Sequence, residues 1–371
     1  MTVIKSIVAI FMSFLMGVFG SLGLVGNVSD DFTEGKYKNV ILLIGDGMSF
    51  NTIAATEEIT GIDLVMNDMP VKASSDIDSF MNSYTDSAAG GTALATGVRV
   101  INGTVGVYPF DLLSPADINV PMNLSELAKA NGKAAGVVTT DQTSGATPSS
   151  FSAHTFARTN EGQICKDQLN SDLDLIWGGD TDSITKKKAE AKGWTYIDNE
   201  DDMRALKAGS RSIAQFNYDD LYNCTDEYNT PSVEEMTKKA IDILSADEDG
   251  FFLMVEGACI DKNAHNNIME GVTECTVEFD KAVAAALDFA KKDGETLVVV
   301  TADHGTGGIT LNEETGEYYF TSDDHDTWDV PLFVSATDAG FTSDTLVKNR
   351  EIPVQIARVL GFDEKQFPIS K

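Results

Sequence analysis

The stretch Val40-Ile41-Leu42-Leu43-Ile44-Gly45-Asp46-Gly47-Met48 decides the fold class. Its first five residues are all apolar, and a short continuous apolar run is typical of a strand buried on both faces of a parallel sheet. Asp46 follows at the carboxyl edge of that strand, where open α/β sheets bind their ligands. A lone Asp at a strand end is also a common helix N-cap, so Asp46 alone does not establish a site.

Two later apolar runs also end in residues that can carry chemistry. Glu256 follows the run 251–255, and Asp303 and His304 follow the run 296–301. The other predicted elements are strands at 134–140, 173–177 and 331–335 and helices at 123–132, 232–245, 276–291 and 351–360. Because strands and helices alternate without an internal repeat, the sequence predicts one doubly wound α/β domain, with a mostly parallel sheet flanked by helices on both faces.

The stretch Thr85–Gly97 predicts a helix opened by Ser87. Asp86 is a suitable N-cap, the residues that follow are small, and Gly97 suits a left-handed C-terminal cap. Unpaired N–H groups in the first turn favour an anion, so the Ser87 hydroxyl is a candidate reactive group. A capped helix of small residues that merely packs closely on the sheet fits the same stretch.

The acidity of the chain constrains its partners. Across 371 residues, 27 Lys and Arg against 58 Asp and Glu give a formal net charge of −31, which argues against nucleic acid or an anionic membrane surface. A site for an anionic substrate would need its own positive potential, and bound divalent cations are the strongest local source.

Potential cation ligands occur close together in the sequence beyond Glu256. Asp261 and His265 are four residues apart, which on a helix brings both side chains to one face. Oxygen and nitrogen ligands without sulfur suit catalytic zinc, although a lone pair of this kind is more often a surface contact. The chain has four histidines, and all four lie within or beside these candidate motifs.

The N-terminus predicts export. Lys5 precedes an apolar run from Ser6 to Gly26, as in a secretory signal, so residues 1–26 are a predicted signal peptide and residues 27–371 the catalytic domain. The run is long for a signal and lacks an Ala-x-Ala site, which leaves a retained membrane anchor open. We expect the mature protein in the periplasm, outside the cell or at the cell surface.

The chain has an even number of cysteines, which an exported protein can pair in three ways. They are Cys165, Cys224, Cys259 and Cys275. The absence of a CxxC pair argues against a thiolate zinc site.

Taken together, the motifs resemble those of the bacterial alkaline phosphatases, over about residues 38 to 335. In the order of that family they are Ile44–Met48, Thr85–Ala89, Ala146–Pro148, His154–Arg158, Val255–His265, Thr301–His304, and His325 ahead of Val330-Pro331. The resemblance implies a phosphomonoesterase that acts on small phosphate monoesters. It leaves open whether the chain forms a homodimer.

The resemblance also implies two zinc ions and one magnesium ion. Asp261, His265 and His325 would hold the zinc that activates water. The second zinc would take Asp46, Asp303, His304 and the oxygen of Ser87, and magnesium would take Asp46, Thr147 and Glu256. His154 matches a position near the site that is not a ligand.

Ser87 would attack phosphorus and form a phosphoserine intermediate. Arg158 would bind two non-bridging oxygens of the phosphate, and Lys262 would bring a positive charge to the substrate region. The resemblance further implies a disulfide between Cys224 and Cys275, with Cys259–Cys275 as the alternative.

The chain departs from the family pattern at several positions. Gly145 stands where relatives place Asp or His, so we expect a weak magnesium site unless a neighbour such as Asp141 or Ser144 substitutes. Only 20 residues separate His304 from His325, which leaves no room for the large insertions of some relatives and predicts an open site. Asp326 replaces a common Thr.

Other functions are compatible with parts of the sequence. A sulfatase of the same fold would need a Cys/Ser-x-Pro-x-Arg motif, which the residues after Ser87 do not form. A phosphodiesterase of the same superfamily, or a non-catalytic exported protein with structural metals, stays open as an alternative.

Overall fold

The computed structural model describes residues 33–107, 120–224 and 227–363. Its strands are β1 Asn39–Gly45, β2 Val71–Asp76, β3 Ala134–Gln142, β4 Leu175–Gly179, β5 Thr195–Ile197, β6 Ser212–Phe216, β7 Phe251–Gly257, β8 Thr296–Thr301, β9 Thr310–Leu311, β10 Tyr318–Tyr319, β11 Val330–Val334 and β12 Leu346–Lys348.

The α-helices are α1 Phe50–Thr60, α2 Ser87–Thr96, α3 Leu124–Ala130, α4 Ala146–Ser150, α5 Glu161–Asn170, α6 Lys186–Glu190, α7 Glu200–Ala205, α8 Tyr218–Asn223, α9 Val233–Leu244, α10 Cys259–His265, α11 Met269–Asp293 and α12 Ile352–Val359. Short 3₁₀ helices occupy Val65–Asp68 and Asn349–Glu351. Within the described ranges, no helix combines the length and the apolar character needed to cross a membrane.

Ten strands form the central sheet, in the order β12-β2-β11-β8-β1-β7-β3-β4-β6-β5. The strands from β8 to β5 in this order pair in parallel, and β11 joins them to the parallel pair β2 and β12 through antiparallel contacts. The predicted fold class, a mostly parallel α/β sheet, is therefore confirmed.

The sheet is covered on both faces, as its apolar central strands require. Ile41 and Leu43 of β1 pack into a core shared with α1, α9 and α11. Val40 and Leu42, which point the other way, pack into a second core shared with α2, α3 and α12. Since side chains alternate along a strand, an uninterrupted apolar run is needed to fill both cores.

Most predicted elements occur with boundaries shifted by a few residues. The helix predicted for 276–291 begins earlier, at Met269, and Glu256 lies within β7 rather than after the strand. The helix that follows Asn123 ends at Ala130, and Gly132 takes the left-handed conformation just beyond it. The predicted signal segment 1–26 lies outside the described residues.

The polar segment 181–229 contains more structure than its pattern indicates. It holds β5, β6 and three short helices, and the basic cluster Lys186–Lys188 forms most of helix α6, with its lysines exposed as expected. Strand β6 was not predicted because its Ser212 and Gln215 are polar. Both are buried: Ser212 Oγ accepts from Trp177 Nε1 at 3.0 Å, and Gln215 Nε2 donates to Thr143 Oγ1 at 2.9 Å.

Candidate active site

The candidate residues converge because their strands are neighbours in the sheet. Strands β8, β1, β7 and β3 lie side by side, and their carboxyl ends supply Asp303, Asp46, Glu256 and the turn that leads to Thr147. Asp46, Glu256, Asp303 and Thr147 are each at most 6% exposed. The sheet edge thus gathers acidic groups in a space with little access to water.

His304 is the centre of one group of candidate ligands. Its Nε2 atom lies 3.2 Å from Ser87 Oγ and 3.2 Å from Asp303 Oδ2. The same atom lies 3.5 Å from Asp46 Oδ1. The other three residues predicted for the second zinc therefore all lie within 3.5 Å of His304 Nε2.

Ser87 opens helix α2 as predicted. The Asp86 side chain accepts a hydrogen bond from Ala89 N at 2.9 Å, and Gly97 ends the helix in the left-handed conformation (φ 70°). Gly90 allows the helix to approach the segment just after β8 closely, because a Cβ there would lie 2.7 Å from Asp303 O. Sequence and packing together fix the serine against the acidic sheet edge.

Asp261, His265 and His325 form a second group. His265 Nε2 lies 3.1 Å from His325 Nε2, and these atoms lie 3.5 and 3.8 Å from Asp261 Oδ1. Helix α10 places Asp261 and His265 on one face, as their spacing predicts. The His304 and His325 rings stack with centroids 3.7 Å apart, which joins the two groups.

The hydrogen bonds of these histidines define which ring nitrogen carries the proton. His265 Nδ1 lies 2.7 Å from Asp323 O, and His325 Nδ1 lies 2.7 Å from Thr85 O. A carbonyl oxygen only accepts, so Nδ1 must be the donor in both rings. In the neutral rings both Nε2 atoms then present lone pairs to each other, an arrangement that a cation stabilises.

Thr306 fixes the tautomer of His304, as the two carbonyl oxygens do for His265 and His325. It is a site residue that the sequence did not reveal. Its hydroxyl donates to Asp261 Oδ1 at 2.6 Å and lies 3.3 Å from His304 Nδ1. Because its hydrogen is used on Asp261, the hydroxyl accepts from His304 Nδ1, which leaves His304 Nε2 as a bare acceptor. Its position two residues after His304 was the available signal.

Buried oxygens without a hydrogen-bond partner mark the third group. They include Asp46 Oδ1, Thr147 Oγ1, Glu256 Oε1 and, beside His304, Asp303 Oδ2. Native proteins rarely leave such atoms unpaired, and a cation is a partner that would suit this all-oxygen set. Glu256 also accepts a hydrogen bond from Thr139.

Burial dominates the electrostatics of these carboxylates. Burial, and then the neighbouring charges of Asp303 and Asp261, raise the pKa of Asp46 well above its usual value. Burial and the charge of Asp141 raise the pKa of Glu256 to about 7. Burial lowers the pKa of His304, and the nearby His325 and Arg158 lower it further.

Lys262 is paired within the protein. Its Nζ donates to Asp141 Oδ1 and, at 2.6 Å, to Tyr218 Oη. Burial opposes the charge of Lys262, but the Asp141 carboxylate and the Tyr218 hydroxyl raise its pKa overall. Tyr218 lies in the polar middle segment, where no sequence pattern pointed to the site.

Arg158 stands at the mouth of the site. Its Nη1 lies 3.3 Å from Asp86 Oδ2, so the N-cap of the serine helix also orients the guanidinium. Arg158 and Asp141 line a mostly polar cavity of about 250 Å³ together with Gly145 and Glu161.

Asp326, which replaces the common Thr, packs against Gly305. Its carboxylate accepts a hydrogen bond from Trp328 N at 3.0 Å.

His154 lies outside these groups. Its Nε2 lies 2.9 Å from Glu126 Oε1 and its Nδ1 lies 2.7 Å from Gly106 O. With acceptors at both nitrogens, the ring is suited to the protonated form.

In the structure all four cysteines are thiols, and the Sγ atoms of Cys224 and Cys275 lie 3.4 Å apart. The disulfide expected between these two residues stays a prediction.

Comparison with known proteins agrees with this geometry. A family model described as alkaline phosphatase matches residues 37–343. Alkaline phosphatase 3 of Bacillus subtilis (strain 168) is 31% identical over 362 residues, which cover 91% of this chain and 74% of that protein. The alkaline phosphatase of the Antarctic bacterium TAB5 superposes with a TM-score of 0.76 at 28% identity, over 89% of this chain and 100% of that one. A variant of the Antarctic enzyme in which one histidine is replaced by glutamate has Mg bound in its M3 site.

Proposed function

The chain belongs to the alkaline phosphatase family, so it is a phosphoric monoester hydrolase, and we propose that it works through a phosphoserine intermediate on Ser87. The observation that carries the proposal is the 3.2 Å contact between Ser87 Oγ and His304 Nε2 at the acidic sheet edge. The proposed cofactors are two zinc ions and one magnesium ion.

The side chains fit these cations by their donor types. Asp261, His265 and His325 would hold one zinc, and Asp46, Ser87, Asp303 and His304 the other. Asp46, Thr147 and Glu256 offer the oxygen ligands that magnesium prefers. The unpaired buried oxygens and the facing Nε2 atoms of His265 and His325 support the assignment.

When bound, zinc would supply the positive charge that stabilises a serine alkoxide. Ser87 Oγ then forms a bond to phosphorus while the ester P–O bond breaks, and the leaving alcohol takes up a proton. Water next displaces Ser87 from phosphorus, which releases inorganic phosphate and restores the hydroxyl. Two successive displacements give net retention at phosphorus.

Arg158 binds the phosphate group in this scheme. Its planar guanidinium can donate to two non-bridging oxygens, and its contact with Asp86 holds it beside the serine helix. It is 38% exposed at the side chain, which supports a role at an accessible site mouth. The short His304–His325 connection, which holds the small hairpin β9–β10, is consistent with an open site that reads the leaving group weakly.

We assign the support of the magnesium site to Asp141. Its carboxylate is paired with Lys262 and raises the pKa of Glu256, so it acts on the proposed ligands from nearby. This assignment favours the alternative in which a neighbour substitutes for the missing side chain at Gly145. Lys262 is correspondingly less available to the substrate than the resemblance implies.

Comparison of two chromogenic substrates tests the function. The zinc- and magnesium-loaded protein should hydrolyse a phosphate monoester much faster than the matching diester, and acid quenching should trap phosphate on Ser87. Preferential diester cleavage would favour the phosphodiesterase alternative. Metal binding without turnover of either substrate would favour a non-catalytic metal protein.

We also propose that the protein is exported, on the strength of the pattern from Lys5 to Gly26. Expression of the full chain should yield a protein outside the cytoplasm with a new N-terminus near residue 26, as read by mass spectrometry. An uncleaved cytoplasmic product would contradict the export proposal and leave the catalytic one untouched.

A further inference from the structure

Three of the four cysteines meet at the start of helix α10. The Sγ atoms of Cys224, Cys259 and Cys275 all lie within 4.8 Å of one another. Each thiol comes from a different place in the fold, since Cys224 follows α8, Cys259 opens α10 and Cys275 lies in α11. Sequence spacing argued against a thiolate site, but the fold rather than a CxxC motif brings these sulfurs together.

We propose that these three thiols bind one soft, thiophilic cation, and that Cu⁺ is the type of ion they suit best. Three thiolates arranged around an ion with metal–sulfur bonds of about 2.3 Å would lie about 4.0 Å apart in a trigonal plane. The Sγ atoms of Cys224 and Cys275 lie 3.4 Å apart and all three Sγ atoms lie within 4.8 Å of one another, a spacing compatible with that arrangement after small side-chain shifts. Sulfur ligands select soft ions such as Cu⁺, whereas zinc normally takes a fourth ligand.

The backbone at Cys224 is an independent reason to assign a role to its sulfur. Cys224 has φ 52° and ψ 41° and caps helix α8 in the left-handed conformation. Glycine is the usual residue there because a Cβ is disfavoured, and the left-handed caps of α1, α2 and α11 are Gly61, Gly97 and Gly294. A cysteine at this position carries the cost of a Cβ in the left-handed conformation, and what it offers in place of glycine is a thiol.

The polar groups around the cluster differ between its sulfurs. Leu221 O, 2.9 Å from Cys259 Sγ, accepts the thiol proton that a bound ion would displace, whereas Asn263 supports a thiolate at Cys275. Asn263 Nδ2 points to Cys275 Sγ at 3.5 Å and donates to Cys259 O at 2.9 Å, so the amide is held in place beside the sulfur. Cys259 and Cys275 are 2% and 6% exposed, whereas Cys224 is exposed. An ion can therefore enter past Cys224 and reach two sulfurs that are shielded from water.

The cluster uses none of the proposed zinc or magnesium ligands, so the proposal stands apart from the catalytic one. A bound ion would tie α8 and α11 to the first residue of α10, the helix that carries Asp261 and His265. The site exists only while the thiols are reduced, because a Cys224–Cys275 disulfide would consume two of the three ligands.

A Cu⁺ titration of the zinc- and magnesium-loaded protein, reduced and free of oxygen, tests the proposal. We expect one Cu⁺ per chain, with the near-ultraviolet absorption of copper–thiolate bonds and a higher unfolding temperature. Loss of a supporting partner of a ligand already costs about 10–100-fold in metal affinity, so Cys224→Ser, Cys259→Ser and Cys275→Ser should each cost at least about 100-fold.

Cys165→Ser is the matched control. Cys165 is buried and lies 3.6 Å from Thr181 Oγ1, far from the cluster in sequence, so this variant should bind Cu⁺ like the wild type. Monoesterase activity reports whether each variant is folded. Equal Cu⁺ affinity in Cys259→Ser and wild type would overturn the three-thiol site, as would the absence of Cu⁺–thiolate absorption in a wild-type protein whose thiols titrate as reduced.

Discussion

The carboxylate of Asp141 fills the space into which a side chain at Gly145 would project. A Cβ on Gly145 would lie 2.7 Å from Asp141 Cγ, closer than real Cβ contacts come, although the backbone there (φ −54°) suits any residue. With Asp141 in its observed position, side chains at 141 and 145 exclude each other, and a carboxylate from position 141 takes up the space that the side chain at position 145 would need.

This exclusion changes the expected effect of restoring an Asp at position 145. Gly145→Asp alone should not lower the magnesium requirement, because the new side chain collides with Asp141. Asp141→Ala should raise the magnesium concentration at half-saturation by about 10–100-fold, and Asp141→Ala combined with Gly145→Asp should recover most of the loss. Calorimetric titration of the zinc-loaded protein measures this, with Ser144→Ala as the control. A lower half-saturation in Gly145→Asp alone would contradict the prediction.

Ser87→Ala should lower monoesterase activity by about 10³-fold or more, because the nucleophile is lost while the other proposed metal ligands stay in place. Zinc content should stay near that of the wild type, since Asp46, Asp303 and His304 still surround the site. Turnover assays and metal analysis on the same samples check both halves. Near-native turnover would refute the serine mechanism.

Arg158→Ala should be milder than Ser87→Ala. A hydrogen bond to a charged group contributes about 1.5–3 kcal/mol, so we expect a loss of about 10–100-fold in kcat/KM. Arg158→Lys, which keeps one charge but not the fork, should fall between Ala and wild type. A loss in Arg158→Ala as deep as in Ser87→Ala would mean that Arg158 does more than bind phosphate.

Thr306→Val should weaken zinc binding by about 10–100-fold, because it removes the hydrogen bonds that fix Asp261 and the tautomer of His304. Thr306→Ser keeps the hydroxyl and should retain nearly full affinity. Competition with a zinc chelator measures both variants. If Val and Ser behave alike, the hydroxyl does not position the ligands.

The contact between His154 and Glu126 predicts a pH-dependent stability. Burial opposes the charge of His154, but the hydrogen bond and charge of Glu126 raise its pKa overall. A raised folded-state pKa stabilises the protein below the unfolded value of about 6.5, and that contribution disappears as the pH rises through the folded value. Glu126→Gln, which can keep the capping contact to Asn123 N, should therefore lower the free energy of unfolding more at acidic than at alkaline pH. Denaturant titrations at both pH values would refute this if the difference between variant and wild type did not change.

The sequence predicted the parts of the site that local chemistry determines. Asp46 and Asp303 end apolar strands, and Ser87 follows an N-cap, so each could be placed from its immediate neighbours. Thr306 was missed because its role depends on a histidine tautomer that exists only in the folded chain. Tyr218 was missed because it follows β6, a strand that could not be predicted since two of its buried residues are polar.

Strand β2 shows a similar limit for the fold. Its residues Val71–Asp76 alternate between buried and less buried positions. They include Lys72 and two serines, so the strand contains no apolar run from which it could be predicted. It pairs with β11 and β12, far away in the chain, and only that pairing defines it. The three thiols were likewise invisible to any argument from spacing.

The buried carboxylates at the sheet edge have a consequence for the life of the protein. Asp46 and Asp303 are almost fully buried beside each other, and without a cation that arrangement destabilises the folded chain. On the proposed ligand set, cations stabilise the native state by mass action, so a chain that has not acquired its metals opens more often and is cut sooner by proteases. On this proposal, we expect correct loading with metal to extend the lifetime of the enzyme.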